Sequence, residues 1–74
     1  LTDAEQRVMK ALWTRGEASV RDIADDLGRT RPLAYNTVLT VLRILTEKGY
    51  VHPRAEGRAY VYAPLVSRSE ARSQ

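Results

Sequence analysis

The sequence predicts a mainly α domain closed by a small β-hairpin, three helices followed by a two-stranded antiparallel wing. Three observations predict it. Thr2 and Ser19 stand where helix N-caps are wanted, each followed by an acidic residue three positions on. Apolar residues then recur at helical spacing as far as Lys48. After Gly49 the pattern changes to two short segments rich in aromatic and branched residues, separated by a glycine-containing link. With 74 residues the chain is one small domain. A domain of that size buries only about 60 to 65% of the surface its unfolded chain exposes, so no second core fits.

The first helix starts at the capping box Thr2-Asp3-Ala4-Glu5, in which the threonine hydroxyl and the glutamate carboxylate each satisfy a backbone donor. Glu5, Val8 and Leu12 share its inward side, with Met9 and Trp13 flanking, and Gly16 supplies a left-handed stop. Trp13 is expected in the core or at its edge. Ser19 opens a short second helix with Val20, Ile23, Ala24 and Leu27 as its apolar stripe and Gly28 as its stop. Asp22, Asp25 and Asp26 lack the spacing and the glycine bend of a calcium loop and read as a solvated flank.

Pro32 places the start of the third helix between Pro32 and Ala34, because proline disfavours helix in the residue before it and suits a first turn. Over residues 34–48, Ala34, Val38, Val41, Leu42 and Leu45 gather on one side, with Asn36, Thr40, Arg43 and Glu47 opposite. Lys48-Gly49 ends the helix with a cation at its negative end and a glycine past it. The hairpin is read as Tyr50-Val51-His52-Pro53-Arg54 and Arg58-Ala59-Tyr60-Val61-Tyr62-Ala63, joined by Ala55-Glu56-Gly57. Pro53 belongs at an edge or strand end, since it has no N–H to donate. Tyr60 and Tyr62 share one strand face, expected against the helices, and His52 is expected at the surface. A second capping box, Ser67-Arg68-Ser69-Glu70, starts a further helix with almost no apolar face. Residues 1–66 are therefore read as the domain, and residues 67–74 as the start of a C-terminal helix leading into a region that this chain does not include.

The absence of cysteine excludes a disulfide framework and a thiolate metal site. No apolar run approaches the roughly 20 residues of a membrane span, and no signal-peptide pattern opens the chain, so a cytoplasmic protein with no membrane partner is expected. One histidine, no Ser-His-Asp set and no glycine-rich phosphate loop argue against an enzyme, and neither a cofactor nor a metal is expected. The net charge of +3 is unevenly spread. Residues 1–28 carry −2, residues 29–58 carry +4 and the remainder +1. Positive charge concentrated on the third helix and the hairpin suits nucleic acid.

Three helices with a tight link between the second and third, then a basic hairpin, make the winged helix-turn-helix arrangement. Its third helix enters the DNA major groove. The wing's Arg54 and Arg58 would reach phosphates or the minor groove, with Gly57 permitting the bend. The alternative is a winged helix whose third helix packs on a protein partner without DNA.

A resemblance spans nearly the whole chain. Its residues are Leu1-Thr2, Ala4-Glu5, Val8-Met9 and Leu12-Trp13, then Val20-Arg21-Asp22-Ile23 with Leu27. They continue with Leu33-Ala34-Tyr35, Thr37-Val38, Thr40, Leu42, Leu45 and Lys48-Gly49, and end with Gly57-Arg58, Tyr60, Tyr62 and Pro64. In this order they resemble the N-terminal domain of the BlaI/MecI/CopY family of transcriptional repressors, also called the penicillinase repressor family. The resemblance implies a repressor that binds a palindromic operator in double-stranded DNA as a homodimer. It further implies a C-terminal dimerisation region, which in β-lactam systems is the target of a sensor-triggered protease. By the same analogy Tyr35, Asn36, Thr37, Thr40 and Arg43 lie at the DNA, with Arg58 at the wing. Together with Arg31 and Arg54 they complete the expected DNA-binding set. Many members of the family carry arginine just before the residue matching Leu45, where this chain has Ile44 and places Arg43 one position earlier. That shift turns the side chain by about 100° around the helix.

Overall fold

A computed structural model of the chain describes residues 1–29 and 33–72. Along the chain run α1 (Asp3–Arg15), β1 (Ala18–Ser19), α2 (Val20–Leu27), α3 (Tyr35–Glu47), β2 (Val51–Glu56), β3 (Ala59–Pro64) and α4 (Arg68–Arg72). The first three helices pack around one core in which Val8, Met9, Leu12, Ile23, Val38, Leu42 and Leu45 are wholly buried. Val51 and Tyr62 bring the sheet onto the same cluster. The apolar stripes read from the sequence are thus the faces that meet. Ala34 is the exception: it is the exposed N-cap of α3 and lies outside the helical period.

Helix α1 starts at the expected capping box. The Thr2 N–H donates to Glu5 Oε1 at 2.7 Å, and the Glu5 N–H donates to Thr2 Oγ1 at 3.2 Å. Lys48 Nζ donates to Glu5 Oε2 at 3.0 Å, so a carboxylate that is 97% buried ties the start of α1 to the end of α3. This explains an acidic side chain on an otherwise apolar face: a buried charge persists where it is paired and hydrogen-bonded. The Thr2 backbone donor and Lys48 hold the Glu5 carboxyl below its ordinary value. Gly16, at φ +85°, ends the helix in a region that side chains avoid. Gly28 caps α2 at φ −64° and φ there does not require glycine, whereas a Cβ would meet the Ala24 carbonyl oxygen at 3.3 Å.

The sheet has three strands in the order β1-β3-β2, one more than the expected two. Ala18 pairs with Tyr62 and Ser19 with Val61. A two-residue strand is too short to leave an alternation in the sequence. Ser19 serves twice, because its extended backbone (φ −80°, ψ 168°) suits both a ladder and an N-cap whose hydroxyl accepts from the Asp22 N–H at 3.1 Å. The β2–β3 register runs from Val51 opposite Pro64 to Glu56 opposite Ala59. Pro53 falls on the edge strand, as its missing donor demands. The loop is the pair Gly57-Arg58, shorter than the expected three-residue link Ala55-Glu56-Gly57, because Ala55 and Glu56 stay in the ladder. Gly57 adopts φ +61° and Arg58 a negative φ, the signs of a type II′ hairpin turn, in which strand twist and turn twist agree.

The α3 helix begins at Tyr35, one residue later than the expected window, and its N-cap Ala34 has no side chain able to bond the first turn. Beyond the sheet the chain returns to α1. The Leu65 N–H donates to the Tyr50 carbonyl at 2.8 Å, and the indole N–H of Trp13 donates to the Val66 carbonyl at 2.9 Å. The Arg68 guanidinium lies 5.5 Å from the centre of the Trp13 ring. Trp13 is thus a core-edge residue whose polar tip fastens the approach to α4, and Ser67 and Glu70 form the expected capping box.

Candidate nucleic-acid interface

Helix α3 is fixed from below and open above. Val38, Leu42 and Leu45 have no exposure, while Tyr35, Asn36, Thr37, Thr40 and Arg43 are all exposed. At 100° per residue, Asn36, Thr40 and Arg43 fall within about 60° of one another and form a strip along the helix. Thr40 Oγ1 donates to the Asn36 carbonyl at 2.9 Å. Its proton is committed, so toward a ligand the hydroxyl offers acceptor lone pairs and the neighbouring methyl group. Arg43 offers a planar fork of donors, and an asparagine amide offers one donor and one acceptor side by side.

Beside this strip lies an open groove of about 610 Å³. Tyr35 and Leu39 of α3 form one wall, Val20 and Arg21 at the start of α2 another, and Arg58 and Tyr60 of the wing the third. Tyr62 closes the bottom and is 8% exposed, whereas Tyr60, two residues back on the same strand, is 60% exposed. The expectation that both tyrosines face the helices therefore holds for Tyr62 alone. Both lie on one side of β3, Tyr62 packed into the core and Tyr60 exposed at the groove. Burial pushes the Tyr62 phenol up; the Arg43 guanidinium acts against this and the Tyr35 and Tyr60 phenols act with it.

Of the expected site residues, Tyr35, Asn36, Thr37, Thr40 and Arg43 share the exposed side of α3, and Arg58 occupies the wing loop. Arg54 is differently placed. Its Nη2 donates to both carboxylate oxygens of Glu17 at 2.9 Å and to Glu56 at 3.3 Å, so its charge is already answered within the protein. Arg31 lies outside the described residues. Two groove residues fall outside the site set that the sequence predicts: Tyr60, expected against the helices, and Arg21, which carries the family resemblance but no expected DNA contact. The available signal for Arg21 was its position directly after Val20, the first residue of the apolar stripe, which turns it off the core. No set of three or more His, Cys, Asp or Glu among the described residues is placed to hold a metal. No helix among them is long and apolar enough to cross a membrane.

Three packed helices, an edge hairpin and an outward polar strip on the third helix define a winged-helix domain. The chain belongs to the penicillinase repressor family, which it matches over residues 1–74. It is 44% identical over 71 residues to the transcriptional regulator BlaI of Mycobacterium tuberculosis, covering 95% of this chain and 51% of that protein. Its structure matches that of the DNA-binding domain of the repressor BlaI with a TM-score of 0.83 at 31% identity, over 95% of this chain and 85% of the other. It matches the Bacillus licheniformis BlaI monomeric form in complex with the blaP half-operator with a TM-score of 0.78, also at 31% identity and over the same shares of the two chains. The chain spans about half the length of the relatives it matches.

Proposed function

We propose that this chain is the DNA-binding part of a cytoplasmic transcriptional repressor and acts by occupying its operator. The observation that carries the reading is the outward strip of Asn36, Thr40 and Arg43 on a helix rigidly seated by its other face, beside a groove walled by the wing. An asparagine amide matches the N6/N7 edge of adenine and an arginine fork the O6/N7 edge of guanine, each discriminating by about 1 to 3 kcal/mol. In this reading Asn36, Thr40 and Arg43 test bases, and Tyr35 and Thr37 contact the strand at the helix start. Arg31 and Arg58 add phosphate contacts, and Arg54 joins them on exchanging its carboxylates for a phosphate. Support comes from the relative in the same family whose structure contains a half-operator.

A half-site for one domain suits a palindromic operator read by a homodimer, since a two-fold protein matches a two-fold site. Dimerisation is assigned to sequence beyond α4, and a protease that ends repression would act there too. The test is a footprint on the DNA upstream of the chain's own gene, repeated across salt concentrations. Protection of a palindrome that weakens steeply with salt is the expected result. Binding that ignores both salt and palindromy would make α3 a protein-docking surface instead.

A further inference from the structure

We propose that Arg21 is a further DNA-backbone contact, closing with Arg58 on one sugar–phosphate strand laid in the groove between α2, α3 and the wing. This rests on the DNA-binding reading above and adds a residue to it. Arg21 enters the groove from the first turn of α2, and Arg58 from the two-residue wing loop on another wall. Among the described residues neither forms an ion pair, whereas Arg15 is held by Asp26 at 2.6 Å and Arg54 by Glu17 and Glu56. Two arginines without an ion pair thus line one groove. The acid beside Arg21 does not cancel it there, because the Asp22 carboxylate turns back to accept from the Ser19 N–H at 3.2 Å.

The rest of the lining fits a nucleic-acid strand. The half-buried Leu39 offers apolar surface for deoxyribose, and the exposed Tyr35 and Tyr60 bring phenol groups that can donate to phosphate oxygens. Arginine forks bind phosphate with paired donors, and two of them on different walls fix a strand in position as well as holding it. Since phosphates are the same in every sequence, Arg21 adds affinity and register without choosing bases.

The test is an anisotropy titration of the whole chain against a short mixed-sequence DNA duplex over a range of salt concentrations. Each phosphate contact contributes about 0.9 to the slope of log affinity against log salt. Arg21→Ala should shallow the slope by about 0.9, and Arg21→Lys should retain it. Lys10→Ala removes an exposed charge on α1 away from the groove and should leave the slope unchanged. A wild-type slope in Arg21→Ala, or an equal loss in Lys10→Ala, overturns the contact while leaving DNA binding intact. No binding of the wild-type chain at low salt removes the DNA-binding reading itself and the proposal with it. Arg21 is exposed, and matching thermal melts establish that the variants are folded.

Discussion

Arg54 Nη2 donates to both oxygens of Glu17 at 2.9 Å, joining the wing's edge strand to the link between α1 and β1. Both side chains are about half exposed, so solvent screens the pair and it adds little to stability. Its effect is on where a cation is available. Glu17→Gln combined with Glu56→Gln should release Arg54 from both of its carboxylates and steepen the salt dependence of DNA binding by about 0.9, with little change in the thermal midpoint. The same pair of substitutions in an Arg54→Ala background should leave the slope alone. A slope unmoved by the double substitution would make Arg54 a brace for the wing and remove it from the DNA contacts.

Tyr60 and Tyr62 separate folding from binding on one strand face. Tyr62 is buried beneath the groove, and its truncation to alanine should destabilise the domain by roughly 3 kcal/mol, a large part of the stability of a chain this small. Tyr60→Ala removes an exposed ring and should change stability by less than about 0.5 kcal/mol. Urea unfolding measures both. Equal losses would mean that Tyr60 packs against the helical layer after all.

The contrast shows how far the sequence could be read. Three helices, their inward faces and both early caps were legible because each is local: Thr2 with Glu5, Ser19 with Asp22, and the spacing of Val38, Leu42 and Leu45. The β1 strand was not, since two residues hold no period and their partners Val61 and Tyr62 lie more than 40 positions away. For the same reason Tyr60 and Tyr62 looked equivalent: alternation gives a side of the strand, but not where along it the helices stop. In the candidate site, the exposed side of α3 followed from its helical wheel. The capture of Arg54 by Glu17 and the entry of Arg21 into the groove depend on elements far apart in sequence, and charge counts by segment conceal both.

Glu5 makes the fold sensitive to acid. Its carboxyl is held below the ordinary value of 4.5, first by the Thr2 backbone donor and then by Lys48. A carboxyl that ionises more readily in the folded state stabilises the fold above the unfolded value, and that stabilisation is lost as pH falls through the folded one. Asp26 beside Arg15 and Glu70 at the Ser67 N–H act in the same direction. The thermal midpoint should therefore be flat near neutrality and fall below about pH 5. Glu5→Gln should lower it at pH 7, by the equivalent of about 1 kcal/mol, and reduce the fall in acid. Parallel pH profiles for the two proteins would show that Glu5 is not a source of the acid sensitivity.

Arg43 is the strongest base-reading candidate, because it is exposed on the polar strip of α3 and carries a planar fork of donors. A bidentate contact to guanine is worth about 1 to 3 kcal/mol against the wrong base, roughly 5- to 150-fold in affinity. Arg43→Ala should therefore bind its best site more weakly and accept substitutions at one base pair per half-site, while keeping its preference elsewhere. Arg43→Lys keeps the charge but not the fork, so it should recover the salt slope without the full discrimination. Binding-site selection from a randomised duplex pool distinguishes these outcomes. If the preference of Arg43→Ala matches the wild type at every position, Arg43 contacts only the backbone, and base reading on α3 falls to Asn36 and Thr40.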